Sequence, residues 1–372
     1  MSELREGALL GLTRQELAAL VEEAGQPSYR GQQIFEFIYK QRIASLDKMS
    51  SLPQSFRSAL AAAGFAVRLP NIERKFTSSD GTIRYLLGLS DGQSIETVWM
   101  PEGDGGEAGD GSEAGVEEEG HTQRHRATIC VSSQVGCAVD CQFCLTALLG
   151  VERNLTAGEI VGQVCAVLNE RRVQLPQDRV NIVFMGMGEP FLNYDNFVKA
   201  ACLLVEGVGN AESRMTVSTV GIVPRIYEFG TEPVRPKLAI SLNASNEALR
   251  SRLMPINRKW TLAKLMAAAR EFPLRPRERL TFEYVLLDEV NDSAQNAREL
   301  AELIRGTRCK VNLIAWNSGP GIAFRSPAEH RVLEFQKVLV SAGIPAFIRR
   351  PRGRDIYAAC GQLKRTEELK AS

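Results

Sequence analysis

Residues 127–144 read ATICVSSQVGCAVDCQFC, an apolar β-prone run followed closely by three cysteines. Cys137, Cys141 and Cys144 have the spacing C-x3-C-x2-C, and thiolates at this density favour soft metals or iron–sulfur clusters. A structural zinc site normally needs a fourth Cys or His nearby. A 4Fe–4S cluster held by three cysteines instead leaves one iron open to a substrate or cofactor. The stretch therefore predicts a cluster site in a loop that follows a strand.

From residue 127 onward, apolar β-rich segments alternate with amphipathic helical segments. This alternation is typical of parallel βαβ units, and six or seven such units predict a complete or partial barrel, which we assign to residues 123–350. Functional residues of a barrel lie at the carboxyl ends of its strands, which is where the three cysteines fall. The predicted strands are ATICVSS, VNIVFMG, RMTVSTVG, KLAISLNA, LTFEYVLL, KVNLIAW and AFIRR.

Three other segments surround this barrel. Residues 1–75 contain three helical patterns and are predicted to form a small helical accessory domain, either an RNA-binding module or an ordinary helical subdomain. Residues 76–100 alternate in hydrophobicity around Asp91-Gly92, which favours a hairpin and predicts a short β linker unit. Residues 351–372 form a separate C-terminal segment.

Residues 101–122 have an unusually acidic and glycine-rich composition. Within them, PEGDGGEAGDGSEAGVEEEG has eight acidic side chains, seven glycines and no Lys or Arg. Such a composition cannot bury enough apolar surface to offset its ordering entropy, so we expect a disordered insertion. Without these eight side chains the chain has 45 basic and 36 acidic residues, a net charge of +9 instead of +1. This charge permits an anionic partner such as nucleic acid.

The remaining composition indicates a folded protein of the reducing cytoplasm. The 372 residues are 44% hydrophobic and 24% charged, which is typical of globular domains. Eight cysteines are too sparse for a disulfide scaffold. Neither a secretory signal nor an apolar run of about 18 residues is evident, so we expect a cytoplasmic protein with no membrane partner. Cys165, Cys202 and Cys309 have no motif partners and are predicted to be buried structural thiols.

The cysteine triplet, with the aromatic Phe143 before its third member, resembles the radical S-adenosylmethionine (SAM) superfamily. Further segments resemble one subgroup, the RlmN/Cfr group of RNA adenine methyltransferases, in order and spacing. The likeness extends from YRGQQIFEFIY to ACGQL, and only the acidic insertion stands apart. This resemblance implies an α/β fold with a partial (β/α)6-type barrel. It also implies a 4Fe–4S cluster bound by Cys137, Cys141 and Cys144. The matching segments are CVSSQVGCAVDCQFC, NIVFMGMGEP, KLAISLNA, MPINRKW, EYVLLDEVNDS, KVNLIAWN and GRDIYAACGQL.

The resemblance also implies a SAM site. Gly188 and Glu189 in GMGEP match the region that contacts the SAM amino group, and a carboxylate suits an ammonium. At Asn243 the family usually has His, although Asn can also donate and accept hydrogen bonds. The other implied SAM contacts are Ser218, Ser241, Leu242, Asn243 and Asn317.

Three more residues receive catalytic roles from the resemblance. Cys360 matches the cysteine that accepts a methyl group from one SAM; a second SAM yields a deoxyadenosyl radical that removes a hydrogen from this S-methyl group. The resulting carbon radical adds to adenine C2, whose proton passes to the residue matching Glu96. The residue matching Cys130 then attacks the Cys360 sulfur, and a transient disulfide releases methyladenine. Taken alone, Cys130 would be interpreted as a buried small hydrophobe and Glu96 as an exposed strand residue.

The implied substrates are an adenine of 23S rRNA in the peptidyl-transferase centre and the adenine next to the anticodon of tRNA. An electron donor such as flavodoxin and a monomeric state are also expected. Two alternatives stay open: C8 methylation of the same rRNA adenine, as in the Cfr branch, and a non-catalytic zinc-binding RNA module. The arginines of FIRRPRGRD lie upstream of Cys360. They are equally consistent with a path for RNA and with a solvated charged face.

Overall fold

The computed structural model describes residues 7–101 and 126–363. The predicted disordered insertion at residues 101–122 therefore lies outside the described residues except for Pro101. Within the described ranges, no helix is long and apolar enough to cross a membrane.

Three helices open the described chain, as the sequence predicts. The hydroxyl and backbone of Thr13 complete a capping box with Glu16 at the start of the first helix. A π-helical turn, Glu36–Lys40, extends the second helix. The helices are α1 (Arg14–Glu23), α2 (Tyr29–Phe35) and α3 (Gln54–Ala62). Their buried apolar face is formed by Leu17, Val21, Ile34, Phe35, Phe56 and Leu60.

The helical domain packs directly on the barrel. A Cβ on Gly207 would lie 2.7 Å from the side chain of Tyr39, and one on Gly158 would lie 2.2 Å from the carbonyl oxygen of Leu10. Such close approaches need residues without a side chain. The helical domain is therefore fixed on the barrel by a common hydrophobic core.

The predicted β linker is part of the main sheet. It has three antiparallel strands, and the first begins at Asn71, inside the segment that the sequence assigned to the helical domain. The predicted Asp91-Gly92 turn joins the second and third strands, with Gly92 at φ +81°. The third strand continues into the barrel because Val98 pairs with Cys130. The strands are β1 (Asn71–Thr77), β2 (Ile83–Gly88) and β3 (Ser94–Pro101).

Seven parallel strands follow, each at a position that the sequence predicts. A small hairpin, β5 (Gln134–Gly136) and β6 (Val151–Asn154), separates the first two. The sheet order β1-β2-β3-β4-β7-β8-β9-β10-β11-β12 leaves β1 and β12 at the edges, so the barrel is partial, as one of the two expectations had it. The parallel strands are β4 (Arg126–Cys130), β7 (Arg179–Phe184), β8 (Met215–Thr219), β9 (Lys237–Ser241), β10 (Leu280–Leu286), β11 (Cys309–Ala315) and β12 (Ala346–Arg349).

Helices connect the parallel strands and share one core with them. The first connecting helix begins at a capping box of Thr156 and Glu159, as the sequence predicts. Because every crossover returns to the same end of the sheet, the carboxyl ends of the strands meet at one rim. The helices are α4 (Ala157–Glu170), α5 (Tyr194–Leu203), α6 (Val223–Phe229), α7 (Glu247–Leu253), α8 (Leu262–Glu271), α9 (Ala294–Leu303) and α10 (Glu329–Ser341).

Candidate active site

A pocket opens at the carboxyl ends of the parallel strands. It brings together ten of the thirteen residues that the sequence nominated, and leaves out Glu96, Cys130 and Leu242. The ten that line it are Cys137, Cys141, Cys144, Gly188, Glu189, Ser218, Ser241, Asn243, Asn317 and Cys360.

The three clustered cysteines lie on the loop between β5 and β6. The backbone N–H of Cys137 donates to the carbonyl of Gly150 at 2.7 Å, which closes the loop at its base. The indole N–H of Trp316 donates to the carbonyl of Phe143 at 2.8 Å and ties the loop to the end of β11. The loop is therefore closed by its own base and is held against the pocket by Trp316.

The donor set of this loop fits an iron–sulfur cluster. Burial raises the pKa of the Cys137 thiol to about 12 and that of Cys141 well above its usual range. Thiols in such a setting need a strong Lewis acid to hold them as thiolates, and iron supplies one. Among the described residues, no three His, Cys, Asp or Glu side chains are arranged to hold a single metal ion. The donor set itself favours a cluster, because three cysteines in one loop at the pocket match a 4Fe–4S cluster with one open iron, whereas a structural zinc site usually has four Cys or His ligands.

Glu189 is a buried carboxylate that lines the same pocket as the three cysteines. Its Oε1 accepts from the Thr219 hydroxyl at 2.6 Å and from the backbone N–H of Phe191 at 3.0 Å, and its Oε2 accepts from the N–H of Val220 at 2.8 Å. Burial nevertheless raises its pKa to about 7. The site is therefore prepared for a cation that would restore the charge balance, such as a ligand ammonium.

Next to it, Ser218, Ser241 and Glu283 form a polar cluster on three neighbouring strands. The Ser218 hydroxyl donates to Glu283 Oε2 at 2.7 Å and lies 3.1 Å from the Ser241 hydroxyl. Burial raises the pKa of Glu283. Sequence reasoning missed Glu283, although a lone charged residue inside the apolar strand LTFEYVLL is a usable signal.

Asn243 occupies a left-handed backbone position, with φ +57°. Its Oδ1 accepts from the backbone N–H of Val285 at 2.9 Å, which joins the ends of β9 and β10. Asn and His both tolerate this conformation better than most residues, so the backbone explains why Asn can replace the expected His. Its neighbour Leu242 is fully buried beneath the pocket. Asn317 lines the pocket with a buried Oδ1 that accepts no hydrogen bond from the described residues.

Cys360 reaches the pocket from the C-terminal segment, and Cys130 lies behind it at the end of β4. The Cys360 side chain is exposed to the pocket, although the surrounding protein removes enough solvent to raise its pKa to about 11, and Glu283 adds to this shift. Cys130 is buried. Burial is the main cause that raises the pKa of its thiol, and the nearby Cys360 adds to the shift. Cys130 packs against Val98, Met187, Ala358 and Leu363.

Glu96 is buried, which corrects the interpretation of this residue as an exposed strand Glu. The side chain is fully enclosed, and its carboxylate pairs with the guanidinium of Arg84. Glu96 precedes Val98 by two residues, so it lies on the same face of the sheet as Cys130, the partner of Val98. Of the three cysteines without motifs, Cys165 and Cys309 are buried as predicted, whereas Cys202 is half-buried.

The chain matches known proteins over most of its length. Residues 8–64 match the family described as the ribosomal RNA large subunit methyltransferase N-terminal domain, and residues 131–301 match the radical SAM superfamily. It is 65% identical over 347 residues to the probable dual-specificity RNA methyltransferase RlmN of Koribacter versatilis (strain Ellin345), covering 93% of this chain and 99% of that relative.

A second relative and a solved structure are similar to this chain over nearly its whole length. The chain is 45% identical to the dual-specificity RNA methyltransferase RlmN of Syntrophobacter fumaroxidans (strain DSM 10017 / MPOB), with 94% and 96% of the two chains covered. Among solved structures, it superposes on a radical SAM methyltransferase from Sphaerobacter thermophilus with a TM-score of 0.85 and 43% identity, covering 96% of this chain and 99% of that one.

Identity of this extent over nearly complete chains shows the family. It confirms the expected α/β fold and the expected enzyme class, and it argues against a non-catalytic zinc-binding module. Membership of the radical SAM superfamily implies a 4Fe–4S cluster and SAM, for which the pocket has suitable residues. The chain belongs to the RlmN family of RNA methyltransferases within the radical SAM superfamily.

Proposed function

We propose that this enzyme methylates C2 of one adenine in 23S rRNA, in the peptidyl-transferase centre, and C2 of the adenine next to the anticodon in tRNA. The observation that carries the proposal is that Cys360 opens into the same pocket as the three clustered cysteines and Glu189. The relatives are named dual-specificity RNA methyltransferases, which supports two RNA substrates. Adenine C2 is a poor nucleophile, so a methyl group carried on sulfur suits it better than direct displacement on SAM.

Cys137, Cys141 and Cys144 would hold the cluster, and the carboxylate of Glu189 would bind the SAM ammonium. Hydroxyl and amide groups of Ser218, Ser241, Asn243 and Asn317 would orient the rest of the molecule. When bound, the cluster supplies the electron that cleaves SAM reductively. We propose two SAM molecules per turnover, because one donates the methyl group and the other removes a hydrogen from it.

The side chains of Cys360, Cys130 and Glu96 would complete the reaction. Cys360 carries the methyl group as a thioether, and after this carbon has lost a hydrogen atom it becomes joined to adenine C2. The adduct then gives up one electron, which would return to the oxidised cluster, and the C2 proton, which passes to Glu96. The Cys130 thiolate then attacks the Cys360 sulfur, forming an S–S bond and breaking the bond between that sulfur and the methylene carbon. The electron pair of the broken bond goes to this carbon, which takes a proton and becomes the methyl group. A thiol reductant must then reduce the disulfide.

The adenine has to be unpaired or flipped to enter the pocket, which favours folded RNA with an exposed base. The net charge of +9 outside the acidic segment supports contacts with phosphates. We further propose a monomeric cytoplasmic enzyme that receives electrons from a donor such as flavodoxin.

Mass mapping of both RNA classes from a deletion strain and from complemented strains tests this function. Complementation with the wild-type gene should restore 2-methyladenine in 23S rRNA and in tRNA, whereas complementation with Cys360→Ala should restore neither. A methyl group at C8 would instead identify the alternative specificity. Restoration in rRNA alone would refute the tRNA half of the proposal.

A further inference from the structure

Residues 351–363, which we call the Cys360 arm, follow β12 and carry Cys360 into the pocket. Two separate sets of hydrogen bonds hold this arm. One set lies next to the three clustered cysteines, on the C-terminal side of Cys360. The other lies at the turn between β1 and β2, on the N-terminal side of Cys360.

The inner attachment joins the arm to the pocket wall. The backbone N–H of Leu145 donates to the carbonyl of Gly361 at 2.8 Å, and the Thr146 hydroxyl donates to the carbonyl of Leu363 at 2.6 Å. The side-chain amide of Gln362 donates to the carbonyl of Ser318 at 2.8 Å. These bonds fix residues 361–363 but leave the approach to Cys360 from the other side open.

The outer attachment is a pair of reciprocal carboxylate contacts, formed by Asp80, Asp355 and Ser78, which we call the carboxylate clasp. Asp355 of the arm accepts from the Ser78 hydroxyl at 2.5 Å and from the backbone N–H of Ser79 at 3.2 Å. Asp80 of the turn accepts from the backbone N–H of Gly353 at 2.9 Å. Each segment thus supplies one carboxylate and one set of donors, and such charge-assisted bonds are stronger than neutral ones.

The shape of the arm depends on these contacts. Tyr357, between the clasp and Cys360, has φ +53°, a left-handed conformation that costs a residue with a side chain about 1–2 kcal/mol. Gly353 has φ +60°, and a Cβ there would lie 2.7 Å from the Ala358 side chain and 2.9 Å from that of Thr82. A chain that prefers other conformations needs anchors on both sides to keep this one.

We propose that the carboxylate clasp is a positioning device for Cys360: it holds the outer end of the arm so that the thiol stays between the pocket and Cys130. The inference rests on the proposed function, in which Cys360 must meet SAM, an adenine and Cys130 in turn. Asp80, Asp355 and Ser78 are positioning residues because none of them lines the pocket. The Ser78 hydroxyl also lowers the pKa of Asp355, which keeps this carboxylate ionised.

The neighbouring serines give a matched pair of variants. Ser78→Ala removes the hydroxyl that donates to Asp355, whereas Ser79→Ala keeps the backbone N–H that donates to it. With the cluster-loaded enzyme, two rates of Cys360 are measured by peptide mass mapping: methylation by SAM without RNA, and alkylation by iodoacetamide without SAM. SAM affinity is measured alongside.

For Ser78→Ala we expect about tenfold slower methylation and faster alkylation, since a released thiol leaves the desolvating pocket. SAM affinity should not change, and Ser79→Ala should match the wild type. Asp355→Asn weakens the bonds from both Ser78 and Ser79 and should have at least as large an effect as Ser78→Ala, and the double variant should add little because both substitutions act on the same contact between turn and arm. Unchanged alkylation in Ser78→Ala would overturn the clasp. If the wild-type Cys360 never gains a methyl group, the proposed function fails, while the alkylation rates still test the clasp.

Discussion

The loop of residues 137–144 and the Cys360 arm lie on the same pocket, yet they are built in different ways. The loop places three thiols within eight residues, so local spacing alone brings them together. The arm carries a single thiol that is placed by distant contacts: Asp355 bonds Ser78, which is 277 positions away. The proposed cluster ligands are therefore brought together by local sequence, whereas the position of the proposed methyl carrier, Cys360, depends on tertiary structure.

Removing one thiol from the loop is expected to have the largest effect of all the variants. Cys141→Ala should abolish RNA methylation together with cluster binding, because three cysteines are the fewest that leave a cluster with only one open iron. The measurements are iron and sulfide content, absorbance near 400 nm (roughly the range of iron–sulfur charge transfer) after anaerobic purification, and methyl incorporation into RNA. Cys202→Ala, a half-buried cysteine outside the pocket, is the matched control and should keep both properties.

Removing the thiol of the arm should separate cluster binding from RNA methylation. Cys360→Ala is expected to keep the cluster absorbance and SAM binding but to lose RNA methylation, since the pocket stays intact and only the methyl carrier is missing. Cys130→Ala should also lose turnover, but with a covalent protein–RNA adduct that is visible as a shifted band on a denaturing gel. An adduct in Cys360→Ala, or continued methylation, would contradict the role given to this residue.

The sequence predicted most of the fold because its signals are local. All seven parallel strands lie in apolar runs that the chain shows directly, and Thr13 and Thr156 mark helix starts through the spacing of their capping boxes. The β linker was predicted as a separate unit since the strand pair Val98–Cys130 joins segments on either side of the acidic insertion. Such a non-local pairing leaves no local pattern to detect.

The residues of the candidate site were predicted only in part. Spacing and resemblance found the pocket residues, but the burial of Glu96 was hidden because its partner Arg84 lies on another strand. An isolated Glu in a strand suggests exposure, and only the pairing of β2 with β3 shows that the charge is buried and balanced. Glu283 differs from Glu96 in that its apolar strand gives a local signal, but its partners Ser218 and Ser241 lie on neighbouring strands and are visible only in the structure.

The ion pair of Arg84 and Glu96 gives the next largest effect and tests how much this buried charge pair of the β linker stabilises the fold. Arg84 lies two residues after Thr82, in the strand that leaves the clasp turn. Arg84→Met would remove the guanidinium that balances the buried Glu96 carboxylate and should lower stability by about 3–5 kcal/mol, measured as a fall in the midpoint of thermal unfolding. The double variant Arg84→Met/Glu96→Leu should recover much of the loss. If the double variant is as unstable as Arg84→Met, packing and not charge explains the effect.

Glu189 predicts a pH dependence on the SAM side of the pocket. Burial raises its pKa to about 7, and a bound ammonium would lower that pKa, so the complex would bind fewer protons than the free enzyme. SAM affinity should therefore fall as the pH drops through 7, by about tenfold per unit at the steepest. Calorimetric titration of SAM between pH 6 and 8, on the order of one unit either side of that pKa, measures this. Glu189→Gln should bind SAM weakly and with little pH dependence, whereas an equally steep profile in that variant would assign the titration to another group.

The smallest expected effect concerns Asn243. We expect the left-handed backbone conformation at this position, and not contacts of the side chain, to explain why Asn is found there. Its left-handed conformation favours Asn, His or Gly over residues such as Ala. Asn243→Ala and Asn243→Gly both lose the hydrogen bond to Val285, so the difference between them isolates the backbone strain. We expect the Gly variant to be more stable by about 1 kcal/mol, and Asn243→His to retain SAM affinity. Equal stability of the Ala and Gly variants would mean that the bond to Val285, and not the backbone, selects Asn here.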